Sequence, residues 1–260
     1  AGNTDGTAMS EMTHVWIDGG IQVPLHRHLL VVYRRVVDRY RFASFLAEGL
    51  RQGDLCVYLA PGPMQVEMSE VLDGLGIPVD GYRQRERLFF PNPANSREQI
   101  WDYARRVFDK AEKTQAPCVR WLEEISWVRP EESSPDEYYK FDASLNYLVK
   151  HYPSLALCQC DLNLLESGPG LSPLVLHRHL VIGNDLVEDN PFYISPEKFV
   201  RMSAQERQAE IFRVLHDFRY DVDELLEALR GYGRLAYPGG DSNSHLRPTP
   251  PNVPPRGPAT

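Results

Sequence analysis

The stretch LHRHLLVVYRRVVDRYRFASFLAEGLRQGDLCVYLAP, residues 25–61, decides the fold class. The apolar run LLVVY (29–33) is too short for a helix and suits a buried strand. It enters a basic connection, RRVVDRYR (34–41). RFASFLAEGL (41–50) then carries helical periodicity, Gly53-Asp54 makes a turn, and LCVYLA (55–60) is a second apolar run. In a nucleotide-binding α/β protein the first connection is where a glycine-rich phosphate loop sits. Here it holds arginines, an aspartate and a tyrosine, and no glycine. A loop in that place without its phosphate cradle needs another role.

The same alternation continues outward. MQVEMSEVLDGLG (64–76) reads as a helix closed by Gly76 in a left-handed cap, and 87–90 as a short strand. Residues 96–115 form the clearest helix, with Ser96 as N-cap, Glu98 in the first turn and a stripe of Ile100, Tyr103, Ala104, Val107 and Phe108. PCVRWLEEISWV (117–128) reads as a strand, 136–152 as a helix, LALCQCDL (155–162) as a strand, and VLHRHLVIGN (175–184) as a strand near the sheet edge. This predicts an α/β fold: a mostly parallel central sheet, helices on both faces, right-handed crossovers. Residues 195–232 read as appended helices, with stripes of Ile211, Val214, Leu215 and Phe218, then Val222, Leu225, Leu226 and Leu229. Such an arm packs on its own domain or makes a homodimer with a second copy. From 238 to 260 seven of 23 residues are proline and aromatics are absent, so this tail is expected to be disordered.

With 260 residues, 42% hydrophobic and 25% charged, the chain can bury one large core. A formal net charge of −8 argues against a broad nucleic-acid surface, and no direct nucleic-acid partner is expected. No apolar run approaches the roughly 18–20 residues of a membrane helix, so no membrane partner is expected. AGNTDGTA before Met9 has neither the basic nor the apolar region of a signal peptide. Residues 1–20 are expected to be a loose N-terminus, an expression remnant, and the location cytoplasmic. Cys56, Cys118, Cys158 and Cys160 include no CxxC and are expected to be reduced core thiols. Cys158 and Cys160 fall on one face of their strand.

LHRHL occurs twice, at 25–29 and 176–180. In extended chain His26 and His28 point the same way, as do His177 and His179, and four imidazoles from neighbouring strands could hold zinc. No cysteine or carboxylate stands at ligand spacing in the sequence, so each pair reads as one buried and one exposed structural histidine. No metal and no other cofactor is expected. In an open α/β sheet, ligands bind beyond the carboxyl ends of the strands. Those ends are Tyr33-Arg34-Arg35, Glu123-Glu124-Ile125-Ser126-Trp127 and Cys160-Asp161-Leu162-Asn163. A large aromatic beside an acid, as at Trp127, suits a pocket wall. GxxxxGK[ST] is absent, so ATPase activity is not expected; GxSxG and HExxH are absent too, and GLGIPVDGY lacks a dinucleotide loop's context. No cysteine is placed beside a histidine, and no catalytic residue is expected.

Taken in order, HLLVVY with FLAEGLRQGDLCVYLA, VRWLEEISW, YYKFDASLN, LALCQCDLN and LHRHLVIGNDLVEDNPFYISPEKF resemble the MEDS domain, the methanogen/methylotroph sensory domain. The matching stretches span roughly residues 26–200. That family is regarded as a RecA/KaiC-like three-layer sandwich without a functional phosphate loop. The resemblance implies a MEDS-like sensory domain over 21–200, a helical extension over 201–237 and the tail beyond. It also implies a non-catalytic sensor in prokaryotic signal transduction or transcription control. By position, the family-like residues are His28, Tyr33, Glu124, Trp127, Asn146, Asp161, His179, Asn190, Pro191 and Tyr193. With Arg34 and Arg35 from the basic connection, all of these but Asn190 and Pro191 are expected to surround a small organic ligand. Leu180 stands where the family often has proline, and Cys160 where an aromatic is common. The family's members join this domain to DNA-binding, kinase or anti-sigma domains; none is legible here, so a regulatory protein partner is expected. A pure protein-interaction module and a degenerate nucleotide binder are the alternatives.

Overall fold

The computed structural model describes residues 13–18, 20–33, 35–92, 97–125, 135–162, 172–190 and 192–217. Strand β1 (His14–Trp16) pairs antiparallel with β2 (Gln22–Pro24). The chain continues as β3 (Arg27–Tyr33), a 3-10 turn (Val36–Tyr40), α1 (Ala43–Gln52), β4 (Leu55–Leu59), α2 (Gly62–Gly74), α3 (Val79–Gln84) and β5 (Leu88–Phe89). There follow α4 (Arg97–Thr114), β6 (Val119–Glu124), α5 (Pro135–His151), β7 (Ser154–Asp161) and α6 (Ser172–Leu176). The last described elements are β8 (His179–Ile182), β9 (Asp185–Val187), α7 (Pro196–Phe199) and α8 (Ala204–Asp217).

The main sheet has the order β5-β4-β6-β7-β3-β8-β9 and is parallel except for the β8–β9 hairpin. Its central strands are buried on both faces, which is why they read as unbroken apolar runs rather than alternating ones. The period of two assigns the faces. Leu30, Val32, Trp121 and Cys158 pack under α4 and α5. Leu29, Val31, Leu122 and Leu157 pack under α1 and α2. The fold is therefore the expected three-layer α/β sandwich.

Three expectations need correction. Residues 13–24 are a hairpin and not a loose end, because Val15, Ile17 and Val23 are buried against the α1 layer. Residues 175–184 are not one strand: α6 ends at Leu176 and β8 starts at His179. His26 precedes β3 with φ 61°, in the left-handed region, so it does not share a strand face with His28. The helical arm packs on its own domain as far as it is described, with Ile211 buried in the core and Val214 against it. The Pro-rich tail, residues 1–12 and the arm beyond Asp217 lie outside the described residues.

One carboxylate holds the hairpin to the sheet. Asp18 Oδ1 accepts from the amides of Gly20 at 3.0 Å and Ile21 at 3.2 Å, and Oδ2 pairs with Arg41. Asp18→Ala is expected to lower the unfolding free energy by about 1–2 kcal/mol, read as a lower urea midpoint at unchanged slope. Asp18→Asn should recover the turn bonds, and with them about half of that loss.

Candidate functional site

Glu123 and Glu124 are adjacent on β6 and therefore point to opposite faces of the sheet. Two separate polar clusters follow from that single alternation.

On the α1 face, at the carboxyl ends of the strands, Tyr33 Oη donates to Glu124 Oε2 at 3.1 Å. Arg39, from the 3-10 turn, donates to Tyr33 Oη at 3.3 Å and lies 3.5 Å from Glu124 Oε2. Burial works against the Arg39 charge, but the bond to Tyr33 and the Glu124 carboxylate outweigh it and raise its pKa. The main-chain carbonyl of Arg39 accepts from Gln159 Nε2 at 2.6 Å. The basic connection thus folds back over the strand ends and places a guanidinium where a phosphate loop would offer amides. Its turn is closed by Asp38, which accepts from Arg35 at 2.8 Å.

Two groups on this face are buried without a hydrogen-bond partner among the described residues: Tyr58 Oη on β4 and Gln159 Oε1 on β7. Burial, then the nearby Glu124 charge, raises the pKa of Tyr58 and keeps it a neutral phenol. Neither residue was a sequence candidate. The available signal was a polar side chain inside an apolar run, at LCVYLA and LCQC.

On the α5 face lies a second cluster, wholly buried. Glu123 accepts from Trp121 Nε1 at 2.6 Å and from Tyr138 Oη at 3.1 Å. Cys158 Sγ lies 3.1 Å from Glu123 Oε1 and 2.9 Å from His28 Nε2. Asp142 and His177 complete the group. Helix α5 supplies Tyr138, Asp142 and Asn146 at i, i+4 spacing, a polar stripe turned into the core. Burial pulls His28 and His177 down to about 4, while burial and the Asp142 charge push Glu123 up to about 7. Burial also raises the pKa of Asp142 and pushes the Cys158 thiol well up. A thiol raised in this way lacks the depressed pKa of an activated nucleophile.

The sequence candidates therefore do not form one site. Tyr33 and Glu124 meet in the crevice, and Asp161 pairs in register with Tyr33 at the same strand end. Arg35 sits at the rim, its side chain 60% exposed. His28 lies in the interior cluster with Asn146 beside it, about 16 Å along β3 from Tyr33 and on the other face. His179 and Tyr193 are half-buried near the β8 edge. Arg34, Trp127 and Pro191 lie outside the described residues. Asn190 braces the chain: its side-chain amide donates to the carbonyls of Leu174 at 2.6 Å and His177 at 2.8 Å. The four-histidine arrangement is not formed. His26 Nδ1–H donates to the Val149 carbonyl at 3.0 Å, and one histidine of each LHRHL, His28 and His177, enters the core. The contacts of His28 also overturn the expectation that no cysteine lies beside a histidine. A separate surface groove of about 360 Å³ between α4 and α5, lined by Trp101, Phe141 and Tyr147, contains none of the candidates.

The sequence profile of the MEDS family, "MEthanogen/methylotroph, DcmR Sensory domain", matches residues 27–171, more than half of the chain. The transcriptional repressor DcmR of Methylorubrum extorquens is 26% identical over 160 residues, which cover 61% of this chain and 60% of the repressor. The chain thus spans less than two thirds of that relative's length. A KaiC-like protein of the archaeon Pyrococcus horikoshii is 14% identical with a TM-score of 0.45, covering 60% of this chain and 70% of that one. Among the described residues no helix is long and apolar enough to cross a membrane.

Proposed function

Because the chain belongs to the MEDS family of sensory domains, we propose that it is a non-catalytic sensory protein acting in transcription control or signal transduction. It binds a small organic molecule in the crevice over β3, β4, β6 and β7 and passes the change to a protein partner. The observation that carries this reading is the pair of buried, unpartnered groups, Tyr58 Oη and Gln159 Oε1, on the same sheet face as the Tyr33–Glu124–Arg39 network. A buried polar group without a partner costs about 1–3 kcal/mol, and a ligand that supplies one acceptor and one donor relieves both. The aromatic Tyr33 and Tyr58 and the apolar Leu122 and Leu157 on the same sheet face suit a small, largely apolar molecule with one polar end. The repressor relative supports a regulatory output; signalling needs a ligand with different affinities for two conformations.

Native mass spectrometry of the protein purified from its own host tests this reading. A co-purifying small molecule is expected. Tyr58→Phe keeps the ring and removes the hydroxyl, and should weaken retention by about tenfold. Empty spectra for the wild type, with or without added Mg-ATP, would move the reading to an interaction module without a ligand; uptake of Mg-ATP would favour a nucleotide site.

A further inference from the structure

We propose that His28, Asp142, Cys158 and His177 form a buried binding site for a zinc-class divalent transition metal. The proposal is independent of the crevice, since it uses the other face of the sheet.

The donor atoms converge. His28 Nε2 lies 3.1 Å from His177 Nε2, 3.1 Å from Asp142 Oδ1 and 2.9 Å from Cys158 Sγ. Asp142 Oδ1 lies 3.7 Å from His177 Nε2 and 3.5 Å from Cys158 Sγ. All four atoms fall within 4.8 Å of one another, the one such group among the described residues. A tetrahedral zinc ion with bonds of about 2.0–2.3 Å has ligand–ligand edges of about 3.3–3.7 Å. Five of the six edges lie between 2.9 and 3.7 Å and the sixth, Cys158 Sγ to His177 Nε2, within 4.8 Å, so side-chain shifts of about half an ångström to an ångström bring the donors to that geometry.

Hydrogen bonding alone fits the cluster poorly. His177 Nδ1 lies 2.7 Å from the Pro173 carbonyl, which accepts only from an N–H, so the proton is on Nδ1 and Nε2 presents a lone pair. His28 Nε2 then has three neighbours within 3.1 Å and one proton at most to share among them. A cation at the centre replaces these crowded contacts with bonds. Charge agrees: among the described residues Asp142 has no ion pair with Lys or Arg, only with the two histidines. One carboxylate and one thiolate balance a dication at the four ligands, with the Glu123 carboxyl group 3.1 Å from Cys158 Sγ just outside them. Two imidazoles, a thiolate and a carboxylate suit zinc and its neighbours better than magnesium or calcium.

The outer contacts of His177 have the form metal sites use, while His28 Nδ1 and Asp142 Oδ2 have no hydrogen-bond partner among the described residues. Pro173 orients one imidazole, and Asn190 holds the His177 main chain at 2.8 Å. The ligands come from β3, α5, β7 and the α6–β8 junction, so the ion would tie the sheet to the helix packed on it.

The test is to refold the full chain after chelator treatment, with zinc or cobalt(II) or neither, and to measure bound metal and the cobalt spectrum. One equivalent per chain is expected, with tetrahedral ligand-field bands and a thiolate-to-cobalt charge-transfer band. Cys158→Ser should remove that band, and Asp142→Asn or His177→Ala should weaken binding by at least about 100-fold. Folded wild-type protein that takes up less than about 0.1 equivalent of either ion would overturn the proposal. So would a wild-type cobalt spectrum without the charge-transfer band, or its persistence in Cys158→Ser. The wild-type readouts decide even if a variant fails to fold.

Discussion

Arg120→Ala is expected to lower the unfolding free energy by about 3–5 kcal/mol. Arg120 sits on β6 with its side chain almost wholly buried. Its guanidinium donates to Asp54 Oδ2 at 2.7 Å, the Phe45 carbonyl at 2.8 Å and Gln52 Oε1 at 2.7 Å, and stacks over the Phe45 ring at 5.2 Å. Truncation leaves a buried carboxylate and a buried carbonyl without their donor, and a cavity besides. The bridge itself is a weaker source of stability than its removal suggests. Burial holds the Asp54 pKa above its usual range despite the pull of Arg120, so desolvation outweighs pairing there. The double replacement Arg120→Met with Asp54→Leu should therefore cost far less than Arg120→Ala alone. Chemical denaturation of the three variants checks this, and a double variant as unstable as the single one would refute it.

Gly49→Ala should also destabilise, by about 2–4 kcal/mol, against the usual sign for a helix interior. Alanine in place of glycine ordinarily stabilises a helix by about 1 kcal/mol. At Gly49 a Cβ would stand 2.4 Å from Arg120 Cδ, 2.5 Å from its Nε and 3.0 Å from Cys56 Sγ. The side chain that must give way is held by three hydrogen bonds, so the clash is expected to win by displacing the guanidinium. Coupling provides the check: the two sites touch, so their effects should not add. In an Arg120→Ala background the two closest contacts are gone and only Cys56 Sγ at 3.0 Å remains, so Gly49→Ala should be close to neutral. Equal losses in both backgrounds would sink the explanation.

Much of the fold was legible because its causes are local. LLVVY, LCVYLA and LALCQCDL are apolar runs bounded by turns, and the α4 stripe of Ile100, Ala104, Val107 and Phe108 is buried as its spacing implies. Gly53 and Gly76 end their helices at φ 91° and 78°, where only glycine is comfortable. The hairpin at 13–24 was missed because three-residue strands carry too little pattern. VLHRHLVIGN was misread because a five-residue helix and a four-residue strand merge into one apolar run.

The candidate residues were partly legible for a related reason. Alternation fixes which face of its own strand a side chain takes, and so separates Glu123 from Glu124 in advance. YYKFDASLN contains the Tyr138, Asp142, Asn146 stripe that α5 turns inward, though helical spacing does not say what it will meet. The sequence by itself determined the alternation of strands and helices, the buried cysteines and the absence of a GxxxxGK[ST] motif, since each depends on residues close in the chain. Only the tertiary structure decided that β7 lies between β6 and β3. That order brings Cys158 to His28 and Glu123, sets Arg39 over Tyr33 and Glu124, and joins one histidine from each LHRHL. Contacts between residues more than 100 apart are fixed by how the sheet is assembled, and no local pattern encodes that order.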